Sequence, residues 1–392
     1  RLHDALDVLL DGVVRTRGRI WLATRPDAVL WLESAGGGLK VGHAGDWLDG
    51  AGPEVWEAAS DERRAIAALG WHPRFGDRAQ ELVLMTQNLY VGADVDQVLL
   101  ALGTPEPDDD LAALLAAIGT LERTDFPTRA AALAATIRRT RPHAVGLQEV
   151  SLIEIALPQF GLDLRIEFLP ILLQALADEG LDYQVAAQVQ NIDASPTAGV
   201  RLVDYDVLLV DADRVTVHSA SGQNFSNNLG PLAPGVTLIR GWVVANVTVN
   251  RRRFNLVSTH PEPDLGDLAL ADLRALQVAE IIQSLRGKGP AVVMGDLNDV
   301  PGSPMYRALR RGGYADVWAT LRPGAVGLTC CHAPDLSDAQ PAFDERIDYL
   351  FAKGFDRGQR KVVGEVRRVG ISPAARPVGP LGPIWISDHA GL

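Results

Sequence analysis

In the second part of the chain, short apolar runs end abruptly in polar residues, and stretches of helical period separate them. Leu82-Val83-Leu84-Met85 runs into Thr86-Gln87-Asn88, Ala144-Val145-Gly146-Leu147 into Gln148-Glu149, and Ala291-Val292-Val293-Met294 into Gly295-Asp296-Leu297-Asn298-Asp299. Apolar runs this short, bounded by turn residues, predict buried strands. Residues 128–140 place Ala130, Leu133, Ala134 and Ile137 on one face after the start signal Asp125-Phe126-Pro127, which predicts a helix. The same reading gives helices near 168–179 and 266–286. It gives further strands near 183–190, 205–210, 214–218, 242–249, 253–259, 346–352 and 361–368. The Gly-, Pro- and Asn-rich stretch 219–236 reads as a long surface loop that shapes a site. Many strands interleaved with a few helices predict a layered α/β domain of two stacked sheets faced by helices.

The first part is patterned differently. Residues 1–78 hold five of the eight tryptophans, and strand-like runs at 19–23 and 28–32 are separated by turn residues such as Gly36-Gly37-Gly38. Leu2, Leu6, Leu9 and Leu10 share one helical face from the first residues on, so the sequence reads as starting inside a domain. The expected organisation is a small α+β domain over 1–80, incomplete at its start, followed by a larger domain over 81–392.

Composition narrows the classes without choosing among them. The chain has 392 residues, 47% hydrophobic and 22% charged, with a formal charge of −12, which suits an ordinary globular protein and excludes a basic, histone-like nucleic-acid binder. No apolar run approaches the ~20 residues that a membrane-spanning helix needs. Only four lysines occur, so nearly all positive charge is arginine, which reads as coding bias. Cys330 and Cys331 are adjacent, so a bond between them is expected to be strained; as a soft-metal pair they lack further cysteines or a histidine cluster.

The chemistry stands at the strand ends. Asn88, Glu149, His260 and Asp296 with Asn298 each follow an apolar strand, and Asp348 in Arg346-Ile347-Asp348-Tyr349 and the Asp388-His389 pair add two more polar endings. Taken singly, each has a plain structural reading: a solvated loop Glu, an Asx turn at Asp296, a structural His. Six such endings in one domain suggest instead a rigid scaffold that gathers oxygen ligands for a hard divalent cation. Arg251-Arg252-Arg253 is the one basic run, and it reads as a solvated hairpin turn.

The ordered set Thr86-Gln87-Asn88, Leu147-Gln148-Glu149-Val150, Ser258-Thr259-His260, Gly295-Asp296-Leu297-Asn298, Arg346-Ile347-Asp348-Tyr349 and Ser387-Asp388-His389 resembles the endonuclease/exonuclease/phosphatase (DNase I-like) superfamily. The resemblance covers about residues 82–392 and implies a four-layer α/β/β/α sandwich and a metal-dependent phosphoesterase. It implies Glu149 as principal Mg²⁺ ligand, with Mn²⁺ as a substitute, Asn88 contributing directly or through the phosphate, and Asp388 completing the metal site. Asp296 and Asn298 would position and activate the attacking water, Asp348 would orient His389, and His260 would contact the scissile phosphate. Whether Asp296 or His389 is the general base stays open. A small diester, a phospholipid headgroup and a nucleic acid are all expected substrates, a phosphodiesterase being the leading reading.

Three departures from the family pattern stand out. Tyr90 occupies a position where many nucleases of the group carry Asp, which leaves a second metal ligand unassigned. Tyr205 is the candidate for the active-site tyrosine, against a plain strand-core role. The strand that normally follows Ser-Asp-His is expected to be absent after Leu392, so one sheet is expected to lack a strand and His389 to be weakly held.

Separately, residues 13–23, 44–47 and 76–83 resemble the C-terminal domain of CobW-type GTPases, without any Gly-x-x-x-x-Gly-Lys-Ser/Thr loop. This segment implies a partner-binding accessory and a cytoplasmic setting, whereas the Thr-Gln-Asn-Leu-Tyr-Val-Gly-Ala-Asp type of the larger domain suggests a secreted one. The rival to an enzyme is an inactive binding module or a chimeric gene product, with partner contacts supplied by the CobW-like segment.

Overall fold

The computed structural model describes residues 15–22, 25–35, 38–46, 57, 59–60, 82–95, 98, 107–250, 252–264, 269–355 and 365–392. It separates into two compact units, Arg1–Glu81 and Leu82–Leu392. Among the described residues of the first unit, β1 (Arg15–Leu22), β2 (Arg25–Ala35) and β3 (Gly38–Asp46) form an antiparallel meander. The helix expected over Leu2–Leu10 and the turn glycines Gly36 and Gly37 lie outside the described residues.

The second unit is built on two sheets, each with one parallel pair of strands. One contains β4 (Leu84–Asn88), β5 (Ala144–Gln148), β6 (Leu152–Leu157), β7 (Leu162–Glu167), β8 (Tyr183–Thr197), β9 (Val200–Asp211), β11 (Gly230–Ala233) and β12 (Val236–Leu238). The other has the order β10 (Val215–Asn224), β13 (Gly241–Val249), β14 (Arg252–Thr259), β15 (Ala291–Asp296), β17 (Asp348–Lys353), β16 (Ala315–Asp316). Strands β4 and β5 run parallel, as do β14 and β15, and the remaining pairs are antiparallel. A two-stranded ribbon, β18 (Val378–Gly379) with β19 (Gly382–Pro383), lies apart from both sheets.

Three apolar layers explain the stacking. Helices α2 (Phe126–Thr140) and α3 (Phe168–Asp178) bury Leu133, Ile137, Leu172 and Leu176 against Val145, Leu147, Val207 and Leu209 of the first sheet. The opposite face of that sheet, through Leu208 and Val210, meets Val243, Ala245, Leu256 and Met294 of the second. Helices α4 (Ala271–Ser284) and α5 (Pro304–Arg311) close the stack by packing Val278, Ile281, Met305 and Leu309 on Val257, Val293 and Phe351. The α/β/β/α sandwich follows from strands that are apolar on both faces. The start signal of α2 acts as expected: the Asp125 carboxylate accepts from Thr128 N at 3.3 Å, and Pro127 stands in the first turn. Ser303 and Asp316 cap α5 and α6 (Val317–Leu321) in the same way, and a longer helix, α1 (Pro107–Thr124), precedes α2.

Several expectations need correction. The stretch 219–236 is not one loop: β10 continues to Asn224, and β11 and β12 form a hairpin on the edge of the first sheet, because main-chain pairing overrides a Gly- and Asn-rich composition there. No strand occupies 365–368, and 361–364 lie outside the described residues. The hairpin β6–β7 was not expected, although Ile153, Ile155 and Leu157 are buried on alternate positions as a strand requires. Cys330 and Cys331 follow one another across a cis peptide bond, with their Cα atoms 3.0 Å apart. Leu392 exchanges two main-chain hydrogen bonds with Thr86 of β4, at 2.9 and 3.1 Å.

Candidate active site

The strand ends converge because the two parallel pairs deliver their carboxyl termini to the same place between the sheets. Asn88 and Gln148 are register partners across β4 and β5, and Asp296 stands directly opposite Asp348 across β15 and β17. Gln148 ties the sheets together by donating to Ser258 Oγ at 2.9 Å and accepting from Thr86 Oγ1 at 3.3 Å. The sheets approach closely enough that a Cβ on Gly146 would meet Ser258 Oγ at 2.8 Å.

Asn88 is the bridge. Its Nδ2 donates to Glu149 Oε1 at 2.8 Å and to Asp296 Oδ2 at 3.1 Å, while its Oδ1 accepts from Tyr90 N at 2.8 Å. Glu149 Oε2 accepts from Val91 N at 2.8 Å. Asp296 Oδ1 accepts from Asn298 N at 2.9 Å, and Asn298 Nδ2 donates to Pro261 O at 2.9 Å, which locks the turn after β15 to the segment after His260. Tyr90, Glu149 and Asn298 all take left-handed φ angles, of 59°, 55° and 50°. Non-glycine residues in that region carry strain that surrounding contacts must hold, and here it sits on the polar ends of three strands. Gly295, just before Asp296, has φ 151°, and a Cβ there would fall 1.9 Å from Thr259 O. Only glycine allows β15 to pass that close to β14.

His389 is held on every side. Its Nδ1 lies 2.9 Å from Asp348 Oδ2, and its Nε2 lies 3.7 Å from Asp296 Oδ2 and 3.9 Å from Asp388 Oδ1. Its backbone N donates to Ser387 Oγ at 3.1 Å, and its carbonyl accepts from Gln87 Nε2 at 3.2 Å. Ser387 Oγ in turn donates to Asn88 O at 2.7 Å. The expected weak hold on His389 is therefore corrected: side-chain bonds to β4 and β17 anchor it. Across the site, His260 Nε2 lies 3.5 Å from Asp296 Oδ2, and its Nδ1 lies 2.9 Å from Arg240 Nη1.

Burial and charge set these groups apart in protonation. Burial lowers the His389 imidazole, but Asp348, Asp388 and Asp296 outweigh it and hold the ring well above the usual histidine value, so it is charged at neutral pH. Burial, Arg240 and His389 together hold His260 well below that value, so it is neutral. Burial pushes Asp296 up to about 7 against the pull of His389, with Asp348 adding to the rise. Burial likewise pushes Asp388 up to about 7, with the charge of Glu149 contributing.

Four carboxylates, Glu149, Asp296, Asp348 and Asp388, thus face one imidazolium. Among the described residues Asp348 Oδ1 is buried with no hydrogen-bond partner, and the Asp296 and Asp348 carboxylates lie together beside the ring. Excess buried negative charge on oxygen donors is the environment that a hard divalent cation stabilises, so the residues present fit one.

Sequence reading missed several supports. Arg129 is buried inside α2 and donates to the carbonyls of Leu89, Thr124 (2.8 Å), Tyr90 (3.0 Å) and Ile386 (3.2 Å), clamping the turn after Asn88 to the segment before Ser387. Its ring neighbours Phe126 and Phe168 stack at 3.6 Å beneath it. Thr329 Oγ1 accepts from Asp348 N at 3.2 Å, and Cys331 Sγ lies 3.9 Å from His389 Nε2. The signal for Arg129 was present, an arginine among apolar positions of an amphipathic helix; Arg240 had none before the strand pairing was known. Of the two tyrosines, Tyr90 donates from its hydroxyl to Pro334 O at 2.9 Å. Tyr205 is a half-buried strand residue packed on the core of the first sheet.

Comparison with known proteins agrees with this architecture. Residues 85–389 match the endonuclease/exonuclease/phosphatase family, and residues 1–101 match the C-terminal domain of the cobalamin synthesis protein CobW. Over 110 residues, 28% of this chain, it is 50% identical to a zinc chaperone of Mycobacterium tuberculosis. The chain spans about a quarter (27%) of the length of that curated relative. Among solved structures it is similar to an endonuclease/exonuclease/phosphatase family protein of Leptotrichia buccalis, at 14% identity over 79% of this chain and 97% of that one with a TM-score of 0.50, which shows the fold. A mannosyl-6-phosphatase of Bacteroides thetaiotaomicron aligns at 16% identity over 79% and 97% of the two chains, TM-score 0.48. With the family match covering most of its length, the chain belongs to the endonuclease/exonuclease/phosphatase family.

Proposed function

We propose that this chain is a Mg²⁺-dependent phosphodiesterase in which Asp296 activates the attacking water and the His389 imidazolium stabilises the charge that develops on phosphate. Membership of the family supports phosphoester hydrolysis at the coarse level. The observation that carries the finer reading is the pairing of a buried imidazolium, bonded to Asp348 at 2.9 Å, with a carboxylate 3.7 Å away that is poised near neutrality. Groups driven apart in this way fall into roles: the carboxylate with a value of about 7 is suited to take a proton, and the imidazolium is suited to donate or stabilise. Of the two candidate bases, Asp296 is therefore the one this reading selects. Asn88 Nδ2 and Asn298 N hold its two oxygens in place.

Glu149, with Asn88 and Asp388, would hold the cation, which when bound neutralises phosphate oxygens. Charge balance favours a diester over a monoester. With Asp296 and Asp388 each near half-charged at neutral pH, four carboxylates, one imidazolium and one divalent cation leave the site about neutral, and a diester adds one negative charge where a monoester adds about 1.5 to 2. The test is the ratio of turnover on bis-p-nitrophenyl phosphate to that on p-nitrophenyl phosphate under saturating Mg²⁺. The proposal expects the diester to be preferred; a faster monoester would make the chain a phosphatase.

A further inference from the structure

Arg240, on the residue before β13, has no part in the chemistry above, yet it is buried against a reacting group. Its Nη1 lies 2.9 Å from His260 Nδ1, and its Nε lies 3.6 Å from Glu262 Oε2. All three side chains are nearly inaccessible, at 5%, 3% and 0% exposure for Arg240, His260 and Glu262. The guanidinium is also the cation that faces the buried carboxylates Asp204 and Asp206 of β9.

A guanidinium offers only N–H donors and keeps its charge throughout the working range. A ring nitrogen 2.9 Å from it must therefore present a lone pair, which leaves the single imidazole proton on the other nitrogen. We propose that Arg240 is a positioning residue that fixes His260 as the neutral tautomer protonated at Nε2, so that His260 serves the phosphate as a hydrogen-bond donor and not as a proton shuttle. A proton on Nδ1 would set two N–H donors face to face, and protonation of both nitrogens would add a second cation beside the guanidinium in a buried site, with the His389 imidazolium as a third nearby. The groups that face the ring from the surrounding elements are Arg240, Asp296 and His389, and Glu262 backs the arginine. Two histidines in one site thus have opposite assignments: a carboxylate partner on Nδ1 makes His389 a cation, and a guanidinium partner on Nδ1 keeps His260 neutral.

The role of His260 toward phosphate rests on the function proposed above, but the tautomer does not, and the experiment separates the two. Imidazole ¹⁵N spectra of the full chain, recorded across the ordinary histidine value of about 6.5, should show a protonated Nε2 and an unprotonated Nδ1 for His260 at every pH. Arg240→Lys supplies another donor without a lone pair and should keep that pattern. Arg240→Met should lose it: the ring should populate the other tautomer and gain a second proton at low pH, and turnover of bis-p-nitrophenyl phosphate should fall by about ten- to a hundredfold with KM little changed. Arg240→Met together with Glu262→Gln removes the acid that the single variant leaves unpaired, and serves if Arg240→Met alone does not fold. A proton on Nδ1 in the parent protein, or an unchanged tautomer without Arg240, would overturn the inference. Absence of turnover in a parent protein with the expected spectrum would instead overturn the proposed function.

Discussion

Replacing Asp348 by Asn tests the electrostatic core of the site. Asp348 is the largest of the influences that raise His389, through a 2.9 Å contact between Nδ1 and Oδ2. Two unit charges about 4 Å apart at an effective dielectric of about 20 interact by about 4 kcal/mol, so losing the charge should lower His389 markedly. Burial pulls the ring in the same direction, so the variant should hold a neutral His389 at pH values where the parent holds a cation. Loss of a positioned acid or charge stabiliser typically costs about 10²- to 10⁴-fold in kcat. The fold should survive, because Asp348 Oδ1 has no hydrogen-bond partner among the described residues and the carboxylate lies directly opposite Asp296, a like charge across the ladder. The assay is the pH profile of kcat for bis-p-nitrophenyl phosphate alongside thermal unfolding. The alkaline limb should move to lower pH, with Tm within a few degrees of the parent. An alkaline limb that stays where it was would refute the assignment of His389 as the catalytic cation.

Further predictions follow from the same geometry. Gly295→Ala places a Cβ 1.9 Å from the Thr259 carbonyl at a φ of 151°, so β14 and β15 must part and both stability and turnover should drop sharply; an active, equally stable variant in a thermal-melt and turnover comparison would contradict the packing. Asp296 and Asp388, pushed up to about 7, bind protons in the folded state that the unfolded chain has released above about pH 4. Their contribution to stability therefore falls as pH rises from about 4 through about 7 in the absence of a cation. A divalent cation competes with those protons, so the rise in Tm on adding Mg²⁺ should be larger at pH 8 than at pH 5; an equal rise at both would place the cation elsewhere. Arg129→Leu leaves four backbone carbonyls without their donor and should lower stability by several kcal/mol while displacing Asn88, seen as reduced turnover in the fraction that stays folded.

Much of the site was legible because its chemistry sits at the ends of short apolar strands. Each of Asn88, Glu149, His260 and Asp296 ends such a run, and the fold needs only to stack two sheets in parallel sense for those ends to meet. The layers were legible for the same reason: strands buried on both faces read as continuous apolar runs, as β5 and β15 do. The hairpin β6–β7 was passed over although its alternation is regular, because Pro158 and the charged Asp163, Arg165 and Glu167 weaken the strand signal of the second half. The β10–β12 region is hidden for a different reason: Ser221, Gly222 and Asn224 have low strand propensity, and their pairing with Val244, Val243 and Gly241 is a tertiary effect that no local pattern carries. Arg240 and Thr329 act on His260 and Asp348 across large sequence separations, and only the assembled sheets show it.

The most direct test of the whole account is hydrolysis of bis-p-nitrophenyl phosphate by the full chain in Mg²⁺ and in EDTA, with Glu149→Ala and His389→Ala beside it. The account predicts turnover that requires the cation and is lost in both variants while their melting curves remain cooperative. Turnover that persists in EDTA, or that survives loss of Glu149 or His389, would contradict it.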